Sequence, residues 1–401
     1  MKSPFGGAWG RASRLIATPA TAFSSDAEGY RRRLAAAFAK FFWQADWPLA
    51  AVVALLLGIG AVAVWSFSPP GSDLFWRQLL WAGVGIPIFL LFSLLDYRLF
   101  KNHGFFLVLL YLGALVLLAS LLMFAPETRG VRAWFQIGGA GIQPVEPMKL
   151  VLALVLAKYF SRRHVEIARA RHIVISGLYA GVAALLVLAQ PDLGSAIILG
   201  AGWFAVVASA GIRARHLTVF FVLAAVISAV AWFWLLAPYQ QERVIAFVNP
   251  ERDPQGAAYN TTQAMVAAGS GRLFGKGIGY GTQSHLNFLP EAETDFIFAA
   301  FAEETGFAGA LLLLGLFAAL GWRLVAIGVA AQDNFSKLFI IGFGTLVFSQ
   351  ALLHIAVNLG LLPVTGIGLP LISYGGSNLV TTLAGLGIVQ SIRIHSRAEI
   401  E

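Results

Sequence analysis

Cysteine is absent from the 401 residues. That excludes disulfides, a thiolate metal site and a cysteine nucleophile. Charge is scarce: Asp, Glu, Lys and Arg make up 12% of the chain, where a soluble domain carries roughly a quarter. No G-x-x-x-x-G-K-[ST] run occurs, so the glycines of 269–281 are not a nucleotide P-loop. No Ser/His/Asp triad is suggested, and no apolar region precedes a signal-peptide cleavage site.

What is present is lipid-soluble. Hydrophobic residues make up 58% of the chain, and several apolar runs reach about 20 residues, enough to cross a bilayer. The expected fold is an all-α polytopic membrane protein. Ten transmembrane helices are placed near 48–67, 78–95, 104–124, 147–160, 173–189, 193–210, 217–237, 295–321, 338–359 and 376–392. With the N-terminus inside, 20 of the 28 Lys and Arg residues fall on the inner side and 8 on the outer. Basic loops stay inside, which predicts an N-in, C-in chain. The net charge of +8 then belongs to cytoplasmic loops rather than to nucleic-acid binding.

The organisation follows. Residues 1–47 form a basic cytoplasmic tail that includes Arg31, Arg32 and Arg33. From 30 to 47 it is either a short helix on anionic lipid or a solvated tail. Residues 48–395 form the transmembrane domain, and 396–401 a cytoplasmic C-terminus. The loop 238–294 is extracytoplasmic and too long for a plain connection. It is expected to hold an interfacial or re-entrant helix near 257–268.

Only 20 residues are acidic, and Glu291, Glu293, Asp295, Glu303 and Glu304 crowd around the start of the eighth span. Acids at a membrane span point to function. Asp295 could simply satisfy N–H groups at a helix start. Alternatively, Glu291 and Glu293 would raise its pKa toward that of a general base, or the acids would bind a divalent cation. Glu146 and Lys149, spaced i, i+3, form either an intrahelical ion pair or a carboxylate beside a phosphate-binding cation. Arg129, Arg132 and Trp134 on the same side would suit a polyprenyl pyrophosphate carrying sugars; the plainer reading of Trp134 is an interfacial belt residue. Asp192, after Gln190 and Pro191, reads as a helix cap with room for a second role. The glycines of 269–281, and Gly375-Gly376 between Ser373 and Ser377, allow tight backbone beside a ligand or membrane.

These stretches together resemble the SEDS family of bacterial cell-wall polymerases. The motifs are RGVRAW (129–134), QPVEPMK (143–149), QPDLGS (190–195), GSGRLFGKGIGYGTQSHLNFLPEAETDFIFAAFAEETGFAG (269–309) and LPVTGIGLPLISYGGSN (362–378). TQSHLNFLPE, which contains His285, and VNPERDPQGAAYN look like the elongation type more than the division type. The chain departs from the family pattern at Val145 (usually Ser), Glu293 (usually His) and Ala133 (commonly polar or basic).

The resemblance implies a peptidoglycan glycosyltransferase that polymerises lipid II at the outer membrane face. The family's essential aspartate falls on Asp295, as base for the acceptor hydroxyl. Glu146, Lys149 and Asp192 fall on its other motif residues. Substrate would meet Lys149, Glu146, Arg129, Arg132, Trp134, Asp192, Gln190, His285, Glu291, Ser373 and Ser377. A Mg or Mn ion would sit on Asp295 and Glu291; no nucleotide or organic cofactor is implied. The implied partners are a class B penicillin-binding protein, lipid II, undecaprenyl-pyrophosphate-linked glycan, membrane lipids and the elongation machinery. A lipid II flippase is the alternative, for which Glu303 and Glu304 would line a polar path; a silent scaffold for the transpeptidase is another.

Overall fold

The computed structural model describes residues 42–397 except 69–70, 127–130, 138–139, 162–169, 212–217, 219–221, 223–225, 227–228, 237, 253–255, 257 and 287. The chain divides into a first unit, Met1–Ala45, and a second, Asp46–Glu401. Only residues 42–45 of the first are described, so residues 30–41 of the proposed helix over 30–47 lie outside the described residues.

The second unit is a helical membrane body. In order come α1 (Trp47–Phe67), α2 (Leu74–Leu94), α3 (Gly104–Phe124), the hairpin strands β1 (Phe135–Ile137) and β2 (Ala140–Ile142), then α4 (Val145–Ser161), α5 (Ala170–Ala189) and α6 (Leu193–Ser209). After them come α7 (Pro238–Val248), α8 (Tyr259–Ser270), α9 (Ile297–Ala330), α10 (Asn334–Asn358) and α11 (Gly376–Arg397). Local chemistry fixes several starts. The Asp46 carboxylate accepts the Leu49 N–H at 3.0 Å, with a proline in the first turn of α1. Asp192 caps α6 through the Ser195 N–H at 2.9 Å, and Asp333 caps α10 through the Ser336 N–H at 3.1 Å. Each satisfies a donor that the first turn of a helix leaves orphaned.

Six described helices are long and apolar enough to cross a membrane: α1, α2, α3, α5, α9 and α10. The chain is a multi-pass membrane protein. Large apolar side chains such as Phe105, Val116 and Met123 on α3 face outward, as lipid requires. Of the other four spans expected, α4 and α6 have 17 residues each, and α11 is too polar to qualify. Of the seventh, 217–237, ten residues lie outside the described ones, and a π-helical turn is described at Ala231–Leu235.

The core forms around α10, which packs on α4, α6 and α9, while α2 lies along α11. Contact there depends on small residues: a Cβ at Gly376 would stand 2.1 Å from the Trp81 ring. With no hydrophobic force between helices in lipid, such close approach supplies the packing. The long loop carries α7 and α8, and α8 matches the helix expected near 257–268.

The eighth span differs from expectation. It runs to Ala330 and breaks at Gly306, where φ is 70° and ψ −168°. Residues Ile297–Ala302 are buried in protein, and the stretch facing lipid begins at Phe307. The glycine-rich segment docks into the break. Lys276 and Gly277 donate their N–H groups to the Glu303 and Glu304 carbonyls at 3.0 Å, and the Arg272 and Leu273 carbonyls accept from Phe307 (2.8 Å) and Ala308 (3.0 Å). Backbone groups freed by the broken helix are thereby paired, as depth in a membrane demands. A Cβ at Gly275 would lie 2.0 Å from the Glu304 carbonyl oxygen, so only glycine fits.

Candidate active site

At the end of the body that bears the starts of α4, α6 and α11, a cavity of about 390 Å³ opens among Trp134, Glu146, Asp192, Arg243, Glu291, Asp295, Gln350, Ser373 and Asn378. The structure thus brings Trp134, Glu146, Asp192, Glu291, Asp295 and Ser373 to one cavity from widely separated parts of the chain.

Asp295 stands on a turn just before α9. Glu291, at φ 58°, points its carbonyl at the N–H groups of Thr294, Asp295 and Phe296 (3.1–3.2 Å). A non-glycine residue in that region stores strain, which such a tight turn must hold. The Asp295 carbonyl accepts from Asn358 Nδ2 at 2.9 Å. Its Oδ2 faces Gly366, where a Cβ would sit 3.8 Å away. The 362–376 loop is laced to this turn: Tyr374 N–H donates to the Glu293 carbonyl (2.9 Å), and Ser373 Oγ donates to the Thr294 carbonyl while accepting the Leu369 N–H, both at 2.7 Å. Ser373 is therefore a strut of the cavity wall. Glu293 is not among the lining residues, whereas Glu291 is.

Lys149 is held within the protein. It is buried and outside the lining set. Its Nζ donates to Glu146 Oε1 at 2.8 Å and to Gln350 Oε1 at 2.7 Å, and Asn378 Nδ2 donates to Glu146 Oε2 at 2.9 Å. The ion pair is formed, and Lys149 fixes both Glu146 and Gln350. Gln190 is also structural, buried with its Nε2 on the Leu118 carbonyl (2.7 Å). Ser377 Oγ accepts the Gln143 N–H at 3.0 Å behind the wall. Arg132 is exposed and outside the lining set; Arg129 lies outside the described residues. Asp192 borders the cavity, and burial pushes its carboxyl above the usual carboxylate range despite the bonds from Ser195 and the charge of Lys149.

His285 belongs elsewhere. Its Nε2 lies 3.1 Å from Glu304 Oε1, in the glycine-rich plug. Glu304 also accepts from Ser66 Oγ (2.8 Å) and the Gly279 N–H (3.0 Å). Glu303 accepts from Lys276 Nζ (2.6 Å), Thr282 Oγ1 and the Gln283 N–H. Both acids are held by the glycine-rich loop, Glu304 also by Ser66 of α1, which is not the arrangement of a polar path across the membrane.

Residue reading missed Arg243, Gln350, Asn358 and Asn378. Arg243 lines the cavity, held by the Val364 carbonyl (3.3 Å) and the Tyr239 ring (5.4 Å to its centroid). Gln350, His354 and Asn358 recur every four residues along α10. They bond the Gly368, Ile367 and Asp295 carbonyls, and that polar stripe on an apolar span was the available signal. For a divalent cation, Asp295 and Glu291 both reach the cavity. Among the described residues no three His, Cys, Asp or Glu side chains form a metal cluster. That donor set fits Mg, which takes one or two carboxylates and completes its shell with water and substrate phosphate.

Fold and site define a multi-pass helical membrane protein with an acid-lined cavity at one end of its bundle. Residues 46–398 match the family described as cell cycle protein FtsW/RodA/SpoVE, and the chain belongs to that family. It is 35% identical to peptidoglycan glycosyltransferase MrdB of Escherichia coli K12, over 89% of this chain and 96% of that one. Stage V sporulation protein E of Bacillus subtilis is 35% identical over 88% and 98%. Among solved structures, a chain from a study of how a peptidoglycan synthase complex coordinates polymerization and crosslinking superposes with TM-score 0.74 and 36% identity, covering 88% and 98%. The rod shape determining protein RodA of Thermus thermophilus does so with TM-score 0.65 and 32% identity, over 87% and 96%.

Proposed function

We propose that this chain is a peptidoglycan glycosyltransferase of the elongation type, polymerising lipid II in this cavity at the outer face of the cytoplasmic membrane. The chain crosses ten times with both termini inside. Its partner is a class B penicillin-binding protein, within the elongation machinery. The observation that carries the reading is the pairing in one cavity of a carboxylate on a fixed turn, Asp295, with a guanidinium, Arg243.

Asp295 takes the proton from the GlcNAc 4-hydroxyl of lipid II. The freed oxygen attacks the anomeric carbon of the growing chain, whose α-linked bond to undecaprenyl pyrophosphate breaks, and the product is inverted. Arg243 meets the pyrophosphate, as a rigid fork suited to phosphate oxygens. Trp134 and Asp192 border the sugars. Asp295 and Glu291 would hold Mg or Mn, which when bound neutralises charge on a leaving pyrophosphate.

The test is lipid II polymerisation by the purified protein with its partner. Asp295→Asn keeps size and hydrogen bonding but cannot accept the proton. Its rate is expected to fall by about 10²–10⁴-fold. A rate above about a tenth of wild type places the base elsewhere, with Glu291 next.

A further inference from the structure

The glycine-rich plug between α8 and the Asp295 turn sits where two spans leave the hydrocarbon. From its break at Gly306, α9 runs 24 residues to Ala330, about 36 Å at 1.5 Å per residue. The hydrocarbon core is about 30 Å thick, so the break falls at its edge, at the end of the bundle that holds Asp295. α1 agrees. Its 21 residues span about 31 Å, and Ser66, one residue from its end, accepts the Gly279 N–H at 3.1 Å. The plug is therefore level with the last turn of α1 and with the start of the lipid-facing stretch of α9.

The polar groups of the plug turn inward. The N–H groups of Gly275, Lys276, Gly277 and Tyr280 donate to the carbonyls of Gly271, Glu303, Glu304 and Gly277 at 2.8–3.1 Å. The Gly279 N–H is shared between Ser66 Oγ and Glu304 Oε1. Lys276 Nζ lies on Glu303 Oε1 (2.6 Å) and Thr282 Oγ1 (2.8 Å). A loop in water needs no such pairing, because water satisfies its backbone, whereas irregular backbone at membrane depth does.

The large apolar side chains turn outward. Phe274 is 79% exposed and Tyr280 75%, with Leu273 and Ile278 at least half exposed beside them. An apolar surface of this kind marks a binding face, and its position names the occupant. The Leu273 carbonyl accepts the Ala308 N–H at 3.0 Å, which sets the face beside exposed Phe307 and, a turn further on, exposed Leu311. On the α1 side, exposed Trp65 adjoins Ser66. The face thus runs on into surface that lipid covers, and Trp and Tyr at this level are interfacial anchors. Arg272 is exposed as well, and a stem of its length lets the guanidinium reach the headgroups.

We propose that the plug is a membrane foot. Leu273, Phe274, Ile278 and Tyr280 enter the bilayer leaflet at the end of the bundle that holds Asp295, among the upper acyl carbons. The foot is separate from the glycosyl-transfer cavity and stands whether or not Asp295 is the base.

The chain has no cysteine, so single-cysteine variants of the full-length protein test each position in turn. Phe274→Cys and Tyr280→Cys are labelled with nitrobenzoxadiazole and reconstituted in phosphatidylcholine liposomes. Leu311→Cys serves as the lipid standard and Glu251→Cys as the water standard, both being exposed positions. Phosphatidylcholine with a doxyl group high on one acyl chain should quench the labels at 274 and 280 by as large a share as the label at 311. Iodide in the water should quench the label at 251 and spare the other three. Two positions on the foot are read, and melting is followed for each variant, so that one disturbed protein does not decide the matter. Either foot label quenched by iodide as strongly as the label at 251 overturns the proposal. Protection from iodide that arises only when the class B penicillin-binding protein is added also overturns it, since the face then belongs to a protein partner. Protection lost as the protein is diluted in lipid does the same, by giving the face to a second copy of the chain.

Discussion

Asn358 on α10 holds Asp295 from behind: its Nδ2 donates to the Asp295 carbonyl and its Oδ1 accepts the Ala299 N–H, each at 2.9 Å. One buried amide thus joins the turn that carries the carboxylate to the first turn of α9. Asn358→Asp keeps the acceptor for Ala299 and removes the donor to Asp295. We expect turnover to fall by roughly 10–100-fold, since about 1 Å of misplacement can cost a hundredfold. The fall should lie in kcat more than in KM, and melting should change less than turnover. An Asn358→Asp protein with wild-type kcat would show that this bond does not position the carboxylate.

Lys149 should matter first to stability. Lys149→Met leaves Glu146 buried without its cation, which costs about 3–5 kcal/mol when one partner of a buried pair is removed. Adding Glu146→Gln should recover most of that loss, because no buried charge remains. Thermal melting of the single and double variants in detergent checks this. A double variant that melts no higher than Lys149→Met contradicts it.

Arg243 should carry pyrophosphate binding. Arg243→Ala is expected to raise KM for lipid II and lower turnover by at least tenfold, and Arg243→Lys to recover only part, because a point charge replaces a fork. Steady-state polymerisation kinetics read both parameters. Wild-type kinetics in Arg243→Ala would remove it from the site.

The plug at Gly306 should tolerate no side chain at Gly275. Its φ of 80° and the Glu304 carbonyl both oppose a Cβ, so Gly275→Ala should lose at least about 1–3 kcal/mol. Gly269→Ala, with nothing within 4 Å of the added atom, should melt at or above wild type. Equal melting of the two variants would contradict the packing.

Asp333 gives a pH dependence. Burial alone would raise its carboxyl, but the Tyr97 hydroxyl, the Ser336 N–H and hydroxyl, and Lys101 bring it below the usual value of 3.8. A lowered folded pKa means stability present above pH 3.8 and lost as pH falls through the folded value. Wild-type melting should therefore drop more steeply below about pH 4 than that of Asp333→Asn, which keeps a competent helix cap. Parallel pH profiles would remove Asp333 as the cause.

Much of the body was legible because hydropathy speaks loudly over 20 residues. α1, α3 and α5 begin or end within a few residues of expectation, and Asp192 does cap α6. The acids around Asp295 were legible as a group, but not their division. Glu291 and Asp295 face the cavity, while Glu303 and Glu304 turn to the glycine plug, because a break at Gly306 replaces a continuous helix. Spacing alone could not show that Lys149 points into protein, since i, i+3 fixes its distance to Glu146 and leaves Gln350 unseen. Neutral amides were missed for a related reason. Asn358 and Asn378 carry no charge to stand out, and their partners lie 63 and 232 residues away.

That last separation governs how the protein comes into being. Chains are made from the N-terminus onward, and the early parts fold first. When α4 enters the membrane, neither Gln350 nor Asn378 has been synthesised, so the Glu146–Lys149 pair must wait in lipid or against neighbouring helices with its remaining bonds unmade. The 362–376 loop that braces the Asp295 turn emerges between them, just ahead of α11. The cavity therefore has no finished form until nearly the whole chain has left the ribosome, and a nascent or C-terminally truncated protein, however well inserted, lacks it.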